Sequence, residues 1–310
     1  MKTEEKRYEG FDIIGDIHGR AAELKMLLNR LGYTEHYGCF RHPRRQAAFV
    51  GDFVDRGPDV GGALQIVKRM TDEGAAQAVI GNHDYNLLCW YKPHPIEEGK
   101  FLRDRTNEKY RKQQARSIEF FDAKPELQEL YFGWLLDLPL ILDLGGARVI
   151  HACWNEKKMA GLNGARTLTE VGFGSFERKQ NTKGDALAIL LCGHEMTLPG
   201  EIRREDNKGC VRNEMRVKWW LNQPGATLAD LALSMSDPVP GSPVAANEIA
   251  KLPGYADSAP PLFIGHYGFR SPPGLMRHNI ACVDYASPGG SPIGAYRWDG
   301  EQILSEKKFI

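Results

Sequence analysis

The chain has no stretch of ~18 consecutive apolar residues, the length a helix needs to cross a bilayer. Its opening residues, Met1 to Gly10, are polar and charged, without the apolar centre of a secretory signal. Net charge is missing as well, because forty basic and forty acidic side chains cancel. No overall field draws the chain to nucleic acid or a membrane surface, so a charged substrate must be handled locally, inside a site. Cysteines at zinc-knuckle spacing are also absent. Cys39, Cys89, Cys153, Cys192, Cys210 and Cys282 are scattered with no C-x-x-C pair, which suits isolated thiols in a reducing compartment. No repeat of solenoid length occurs. These absences lead us to expect a soluble, cytoplasmic protein with no membrane partner, and they disfavour nucleic acid.

What is present is an ordinary globular composition, 42% apolar and 10% aromatic over 310 residues, enough to bury a substantial core. Within it, one kind of acidic loop recurs three times, each at the end of an apolar run. Asp12-Ile13-Ile14 leads into Gly15-Asp16-Ile17-His18-Gly19. Ala47-Ala48-Phe49-Val50 leads into Gly51-Asp52-Phe53-Val54-Asp55-Arg56-Gly57-Pro58. Ala78-Val79-Ile80 leads into Gly81-Asn82-His83-Asp84.

The first loop precedes Arg20–Leu31, where Leu24, Leu27, Leu28 and Leu31 fall at helical spacing before Gly32. The second precedes Val60–Met70, with Leu64, Val67 and Met70 on one stripe. Two strand–loop–helix units argue for an α/β layered fold with ligands at the carboxyl ends of strands. We expect one domain over residues 1–310 with two insertions. The first, about 91–135, is charged, aromatic and mostly helical; the second, about 183–261, is irregular and rich in Pro, Gly and Ser. Leu138–Leu144 and Ala147–Ile150 read as a hairpin. Further strands are expected at Leu262–Ile264, Asn279–Tyr285, Gly294–Trp298 and Gln302–Leu304, with Asp299-Gly300 as the last turn.

The loop chemistry is that of metal and phosphate. Asp16, His18 and Asp52 offer a carboxylate–imidazole–carboxylate set, which suits Mn, Fe or Zn better than Ca. Asp52 is placed to bridge to a second ion, which the amide oxygen of Asn82 and two further histidines would complete. Such an ion pair, ~3.5–4 Å apart, activates a bridging water and clamps a phosphoryl group. Arg56, on the same loop as Asp52, has a guanidinium fork that matches two phosphate oxygens. His83 is the natural general acid for the leaving oxygen, with Asp55 holding it protonated. The competing reading makes His83 a third metal ligand. Any one of these loops alone would more simply be a turn with a capping Asp.

Together, Gly-Asp-Ile-His-Gly, Gly-Asp-Phe-Val-Asp-Arg-Gly and Gly-Asn-His-Asp resemble the signature of the calcineurin-like metallophosphoesterases, phosphoprotein phosphatase branch. Asp16 to Asp52 is 36 residues and Asp52 to Asn82 is 30, in keeping with that resemblance. One departure is Asp84, where eukaryotic members usually carry Glu. The resemblance implies a four-layer α-β-β-α sandwich of two mixed sheets flanked by helices. It implies two divalent cations, manganese first, with iron, zinc, nickel or magnesium as alternatives. It also implies two later histidines at strand ends. The first is His151; for the second, Gly193-His194 and Gly265-His266 compete, and His266 has the Asn-Ile-x-x-Asp strand that should follow. A second phosphate-binding arginine would be Arg216, with Arg212 as its rival; Asn82 also faces the phosphate in this scheme.

The activity so implied is hydrolysis of phosphate monoesters by direct attack of a metal-bridging hydroxide, without a covalent phosphoenzyme. The alternative is a symmetrical diadenosine tetraphosphatase, and a third reading is a non-catalytic scaffold of the same fold. Substrates would be phosphorylated small molecules, nucleotides or phosphoproteins. The full ligand set argues against the scaffold, while the unmatched insertions hold the specificity.

Overall fold

The computed structural model describes residues 8–172, 182–198, 204–205, 211–212, 214–233, 241–269, 274–285 and 292–310. Two mixed sheets organise the chain. Their strands, in chain order, are β1 (Gly10–Ile14), β2 (Arg45–Phe49), β3 (Ala76–Ala78), β4 (Ile141–Asp143), β5 (Arg148–Ile150), β6 (Leu262–Ile264), β7 (Leu275–Arg277), β8 (Ile280–Cys282) and β9 (Ala295–Trp298). The first sheet runs β9-β1-β2-β3, with β1, β2 and β3 parallel and β9 antiparallel on the edge. The second runs β7-β8-β6-β5-β4, with β8, β6 and β5 parallel and an antiparallel strand on either side. The expected hairpin is β4–β5, with Asp143 opposite Arg148.

Strand periodicity explains the layering. Along β2 and its exit, Ala48 and Val50 face the second sheet, while Ala47 and Phe49 face the helices. The same alternation places Ile13, Phe263, Ala281 and Val283 in the inter-sheet core, and Ile14, Leu262, Ile264, Ile280 and Cys282 in the larger outer one. Both faces of each central strand are buried, so these strands read as continuous apolar runs. The α-β-β-α sandwich follows from this double burial.

The helices on the first sheet are α1 (Ala21–Leu31) and α2 (Val60–Asp72). Leu24, Leu27, Leu28 and Leu31 are buried on α1, each fully buried leucine being worth roughly 1.5–3 kcal/mol before entropy is counted. Gly32, at φ 92°, ends α1 as its N–H turns back to Leu28 and Asn29 carbonyls. Asp59 caps α2 by accepting from Gly62 N.

The first insertion is helical, as expected. After α3 (Asn82–Tyr91), α4 (Glu108–Ala123) and α5 (Gln128–Asp137) pack beside α2 and α3. Asn107 caps α4, and its buried residues Gln114, Ser117 and Phe121 define the inward face. The second region is less irregular at its start than its composition suggests. Thr182–Cys192 is a helix, and its Leu190 carbonyl accepts from Ala152 and Cys153 N just beyond β5. Farther on, Met196, Met215, Val217, Leu228, Leu231, Ile249 and Leu252 form a separate small apolar cluster. The Ser236–Pro240 stretch and Cys210 lie outside the described residues.

One expected strand does not form. Gln302–Leu304 pairs with nothing as a ladder, although the chain reverses at Asp299-Gly300, where Gly300 has φ 101°. Side chains replace the ladder: Lys308 Nζ bonds Glu301 at 2.7 Å and Asp299 at 3.0 Å, and the returning chain meets β9 through the Tyr296–Phe309 bridge, Ile310 N on the Ala295 carbonyl and Ser305 N on the Tyr296 hydroxyl. Among the described residues no helix is long and apolar enough to cross a membrane.

Candidate active site

The three sequence loops leave the carboxyl ends of β1, β2 and β3, and they converge with the ends of β5 and β6 from the other sheet. Asp16, His18, Asp52, Asp55, His83 and His151 are all buried there. The backbone that presents them is strained. Seven non-glycine residues among those described have positive φ, and five are His18, Asp52, Asp55, Arg56 and His266, at 49° to 71°. Such residues cost of order 1–3 kcal/mol each and persist only where surrounding contacts enforce them.

The enforcing contacts are specific. Ile17 and His18 N donate to the Asp52 carbonyl, which locks the first loop to the second. Gly81 meets the second loop so closely that a Cβ there would lie 2.2 Å from Asp52 Oδ1. His83 N donates to that same oxygen at 2.8 Å. Asp84 draws the second and third loops together: its carboxylate accepts from Asp52 N at 2.8 Å, Phe53 N at 2.9 Å and Gly81 N at 3.0 Å. The sequence presented Asp84 only as a variation on Glu, and the structure gives it this work.

Two histidines are oriented from behind. His18 Nδ1 faces the Val54 carbonyl at 3.1 Å and His151 Nδ1 faces the Val50 carbonyl at 2.7 Å, leaving each Nε2 turned inward. His18 Nε2 then lies 3.8 Å from Asp16 and 3.7 Å from Asp52 Oδ2. His151 Nε2 lies 3.4 Å from Asp52 Oδ1 and 3.0 Å from Asn82 Oδ1. The same Asn82 oxygen is 2.8 Å from His266 Nδ1. His266 N reaches the Asp16 carboxylate at 3.2 Å, and a Cβ on Gly265 would collide with that carboxylate. Donor atoms of His18, Asp52 and His83 lie within 4.8 Å of one another, as do those of Asp16, Asp52 and His151.

This cluster has the character of a cation site. His266 Nε2 is buried with no hydrogen-bond partner. Burial, then the negative charges of Asp284 and Asp52, push Asp16 well above the carboxylate range. Burial likewise pushes His18 and His266 well below the ordinary imidazole value, so both present lone pairs at neutral pH. Buried carboxylates beside neutral imidazoles are the donor set that a divalent ion neutralises.

A second group sits beside it. His83 Nδ1 bonds Asp55 at 2.6 Å, and Asp55 is gripped by Ser117 of α4, whose hydroxyl donates to Oδ1 at 2.5 Å and accepts from Asp55 N at 2.9 Å. On the other side of the ring, His83 Nε2 faces Arg56 Nη2 at 3.4 Å and Gln113 Nε2 at 3.2 Å. Arg103 bonds Gln113 Oε1 at 3.3 Å and orients that amide. Both partners of Nε2 are donors, so the ring proton lies on Nδ1 toward Asp55. Ser117, Gln113 and Arg103 carry no sequence signal, because only the folding of the insertion brings them here.

The remaining candidates are placed as follows. Arg216 is exposed, with its guanidinium 5.9 Å from the Tyr267 ring, and its charge helps to push His266 down. The Arg212 side chain lies outside the described residues. His194 follows a helix rather than a strand, and its Nε2 faces the Lys251 carbonyl at 3.2 Å, away from the cluster. Asp284, named in the sequence only as part of the strand after His266, is buried and accepts from Gly268 N at 2.6 Å.

The calcineurin-like phosphoesterase family model matches residues 11–229. The chain belongs to this family. It is a phosphoric ester hydrolase, of a family that works with divalent metal ions. Among curated relatives it is 35% identical over 179 residues to the bis(5'-nucleosyl)-tetraphosphatase PrpE [asymmetrical] of Oceanobacillus iheyensis, covering 56% of this chain and 67% of that protein. It is 32% identical over 178 residues to the protein of the same name from Halalkalibacterium halodurans, covering 56% and 69%. With the Bacillus subtilis protein of that name the match is 38% over 88 residues, covering 28% and 36%. Among solved structures, a cold-active protein tyrosine phosphatase superposes with TM-score 0.54 at 15% identity, over 94% of this chain and 73% of that one. The cold-active protein-tyrosine phosphatase of a psychrophilic Shewanella gives 0.51 at 14%, over 98% and 85%. At these identities the likeness speaks for the fold.

Proposed function

We propose that the chain is a dinuclear metal-dependent phosphatase. Asp16, His18 and Asp52 would hold one cation, and Asp52, Asn82, His151 and His266 the other. The observation that carries this reading is the position of Asp52, whose Oδ2 faces His18 while its Oδ1 faces His151. One carboxylate between two donor sets is the arrangement of a shared ligand. Two cations held there would supply Lewis acidity to the phosphoryl oxygens and would acidify a water at neutral pH. The mixed oxygen and imidazole donors suit manganese, iron or zinc better than calcium; manganese is our first choice, with nickel and magnesium as further alternatives.

Arg56 and Arg216 bind the phosphoryl oxygens, and the Asn82 amide faces the same group. Once phosphate engages Arg56, His83 Nε2 is free to take up a proton from solvent and, as the imidazolium, to pass it to the leaving oxygen. Asp55 on Nδ1 stabilises the charged ring, and Ser117 fixes Asp55. The burial of His83, Asp55 and Ser117 keeps bulk water from screening them.

Phosphate monoesters are the first substrate reading, since a terminal phosphoryl group needs only these residues. The names of the relatives favour a second, a dinucleoside polyphosphate. Those names specify asymmetrical cleavage, whereas the sequence resemblance pointed to the symmetrical kind. Purified protein with Mn²⁺ should hydrolyse p-nitrophenyl phosphate, diadenosine tetraphosphate or both. Two ADP from the latter means symmetrical cleavage, and AMP with ATP the asymmetrical kind. No turnover of either compound with any of the five metals would overturn the hydrolase reading.

A further inference from the structure

A cavity of about 690 Å³ opens behind the second sheet, between the start of β5, the turn beyond His151, and the segments around residues 220–223 and 250–259. None of the proposed metal ligands lines it. Its size falls in the range of small-molecule sites. Its walls carry three aromatic rings, Trp154, Trp220 and Tyr255, and four basic side chains against two acidic ones.

The charges are unequally engaged. Asp257 pairs with Arg277 and Lys251 with Glu248, while Glu156, which accepts from Trp154 Nε1 at 3.4 Å, keeps its charge, so Arg148 and Lys157 stand against one carboxylate. Arg148 has no carboxylate partner among the described residues. Its guanidinium lies 4.4 Å from the centre of the Trp154 ring, and Nη1 has only a long 3.5 Å contact with the Tyr255 hydroxyl. That hydroxyl is itself committed to the Pro260 carbonyl at 2.7 Å. Lys157, exposed at the rim, is likewise without an ion pair among the described residues. Trp154 and Tyr255 stand edge to face at 6.5 Å, and Trp154 keeps part of its surface open.

We propose that this cavity binds a nucleotide: the base packs against Trp154 and Tyr255, and a phosphate takes the free fork of Arg148 with Lys157 at the rim. A planar aromatic group joined to an anion is the chemistry that this pairing of open indole and unneutralised guanidinium selects. The nucleotide has two sources, a free mononucleotide or the far nucleotide of a dinucleoside polyphosphate. Only the second source rests on the hydrolase reading.

The test uses the whole protein. AMP binding is followed by tryptophan fluorescence and by calorimetry in the wild type, in Arg148→Met and in Lys157→Glu, each with an intact thermal transition. AMP should bind the wild type, and Arg148→Met should weaken it about tenfold or more. Lys157→Glu, a surface change that leaves the fold alone, should weaken it in the same direction. If the occupant is part of the substrate, Arg148→Met should raise KM for diadenosine tetraphosphate and leave p-nitrophenyl phosphate kinetics unchanged. If it is a free nucleotide, KM should be unchanged while AMP still binds through Arg148. No AMP binding at millimolar concentration, or equal binding by all three proteins, overturns the proposal. Hydrolysis of p-nitrophenyl phosphate, measured on the same preparations, tests the hydrolase reading separately.

Discussion

Replacing Asp84 with Ala should disable the metal site without touching a proposed ligand. Asp84 is fully buried, and its two oxygens accept from three backbone N–H groups, those of Asp52, Phe53 and Gly81. Removing the carboxylate leaves all three donors without an acceptor inside the protein. Each stranded donor costs about 1–3 kcal/mol, and because the three share one acceptor the sum is less than additive. We expect a loss of about 3–5 kcal/mol, read by urea unfolding of the chelated protein. Geometry amplifies the effect. Asp52 is held at φ 57°, and with its N–H freed, that strained residue can relax and swing its carboxylate out of line with His18 and His151. Bound Mn²⁺, measured by elemental analysis after desalting, should fall along with activity. Asp84→Asn should be intermediate, since one amide oxygen can serve only part of the three donors. Asp84→Glu keeps the charge but adds a methylene to a closed space. It should cost about 1–3 kcal/mol and retain its metal. If Asp84→Ala unfolds within about 1 kcal/mol of wild type and keeps its full metal content, the clamp is not what holds Asp52 in place.

Ser117→Ala removes the hydroxyl that grips Asp55 from both sides; it should cost about 1.5–3 kcal/mol in urea. Its kcat should fall more for alkyl phosphates than for p-nitrophenyl phosphate, whose leaving group needs little protonation; equal losses on both would show that the hydroxyl does not act through His83. Stripping the metals with a chelator should destabilise the protein, and adding back Mn²⁺ at 100 times its Kd should restore about 2.7 kcal/mol, whereas an unchanged unfolding midpoint would count against a built cation site. Burial pushes the Cys89 thiol up to about 12, a thiolate fraction of roughly 3 in 10,000 at pH 8.5, and holds Cys153 and Cys282 well above their usual value. Iodoacetamide at that pH should therefore modify half-buried Cys192 well before these three, and peptide mass spectrometry showing the reverse order would refute the assignment of burial.

The three loops, their strands and the helices after the first two were legible in the sequence because each depends on local pattern. Apolar runs of two to four residues ending in Gly-Asp or Gly-Asn, followed in the first two cases by apolar residues at helical spacing, leave little choice of local structure. The donor types were equally legible, since carboxylate, imidazole and amide chemistry belongs to the side chain and not to its place. His266 could be preferred over His194 only through the strand that follows it. The structure supplies the physical difference: His194 follows a helix and His266 a strand. The missing last strand shows the opposite limit. Gln302–Leu304 has the right pattern, but Lys308 with Asp299 and Glu301 satisfies that turn by side chains instead.

What only the tertiary structure decided is how distant groups meet. Ser117 and Gln113 reach Asp55 and His83 because the inserted α4 packs on α2, a contact of two helices some fifty residues apart that no local pattern encodes. Asp84 acts through backbone N–H groups thirty residues away, which every residue possesses and none advertises. The left-handed backbone of His18, Asp52, Asp55, Arg56 and His266 is likewise held by neighbouring loops, since residues with a Cβ visit it only sparsely and five of them here sit at one site. From residue types and spacing alone came the kind of chemistry; the aim of each donor, and the unpaired arginine behind the sheet, arise from long-range packing that brings together residues the sequence keeps apart.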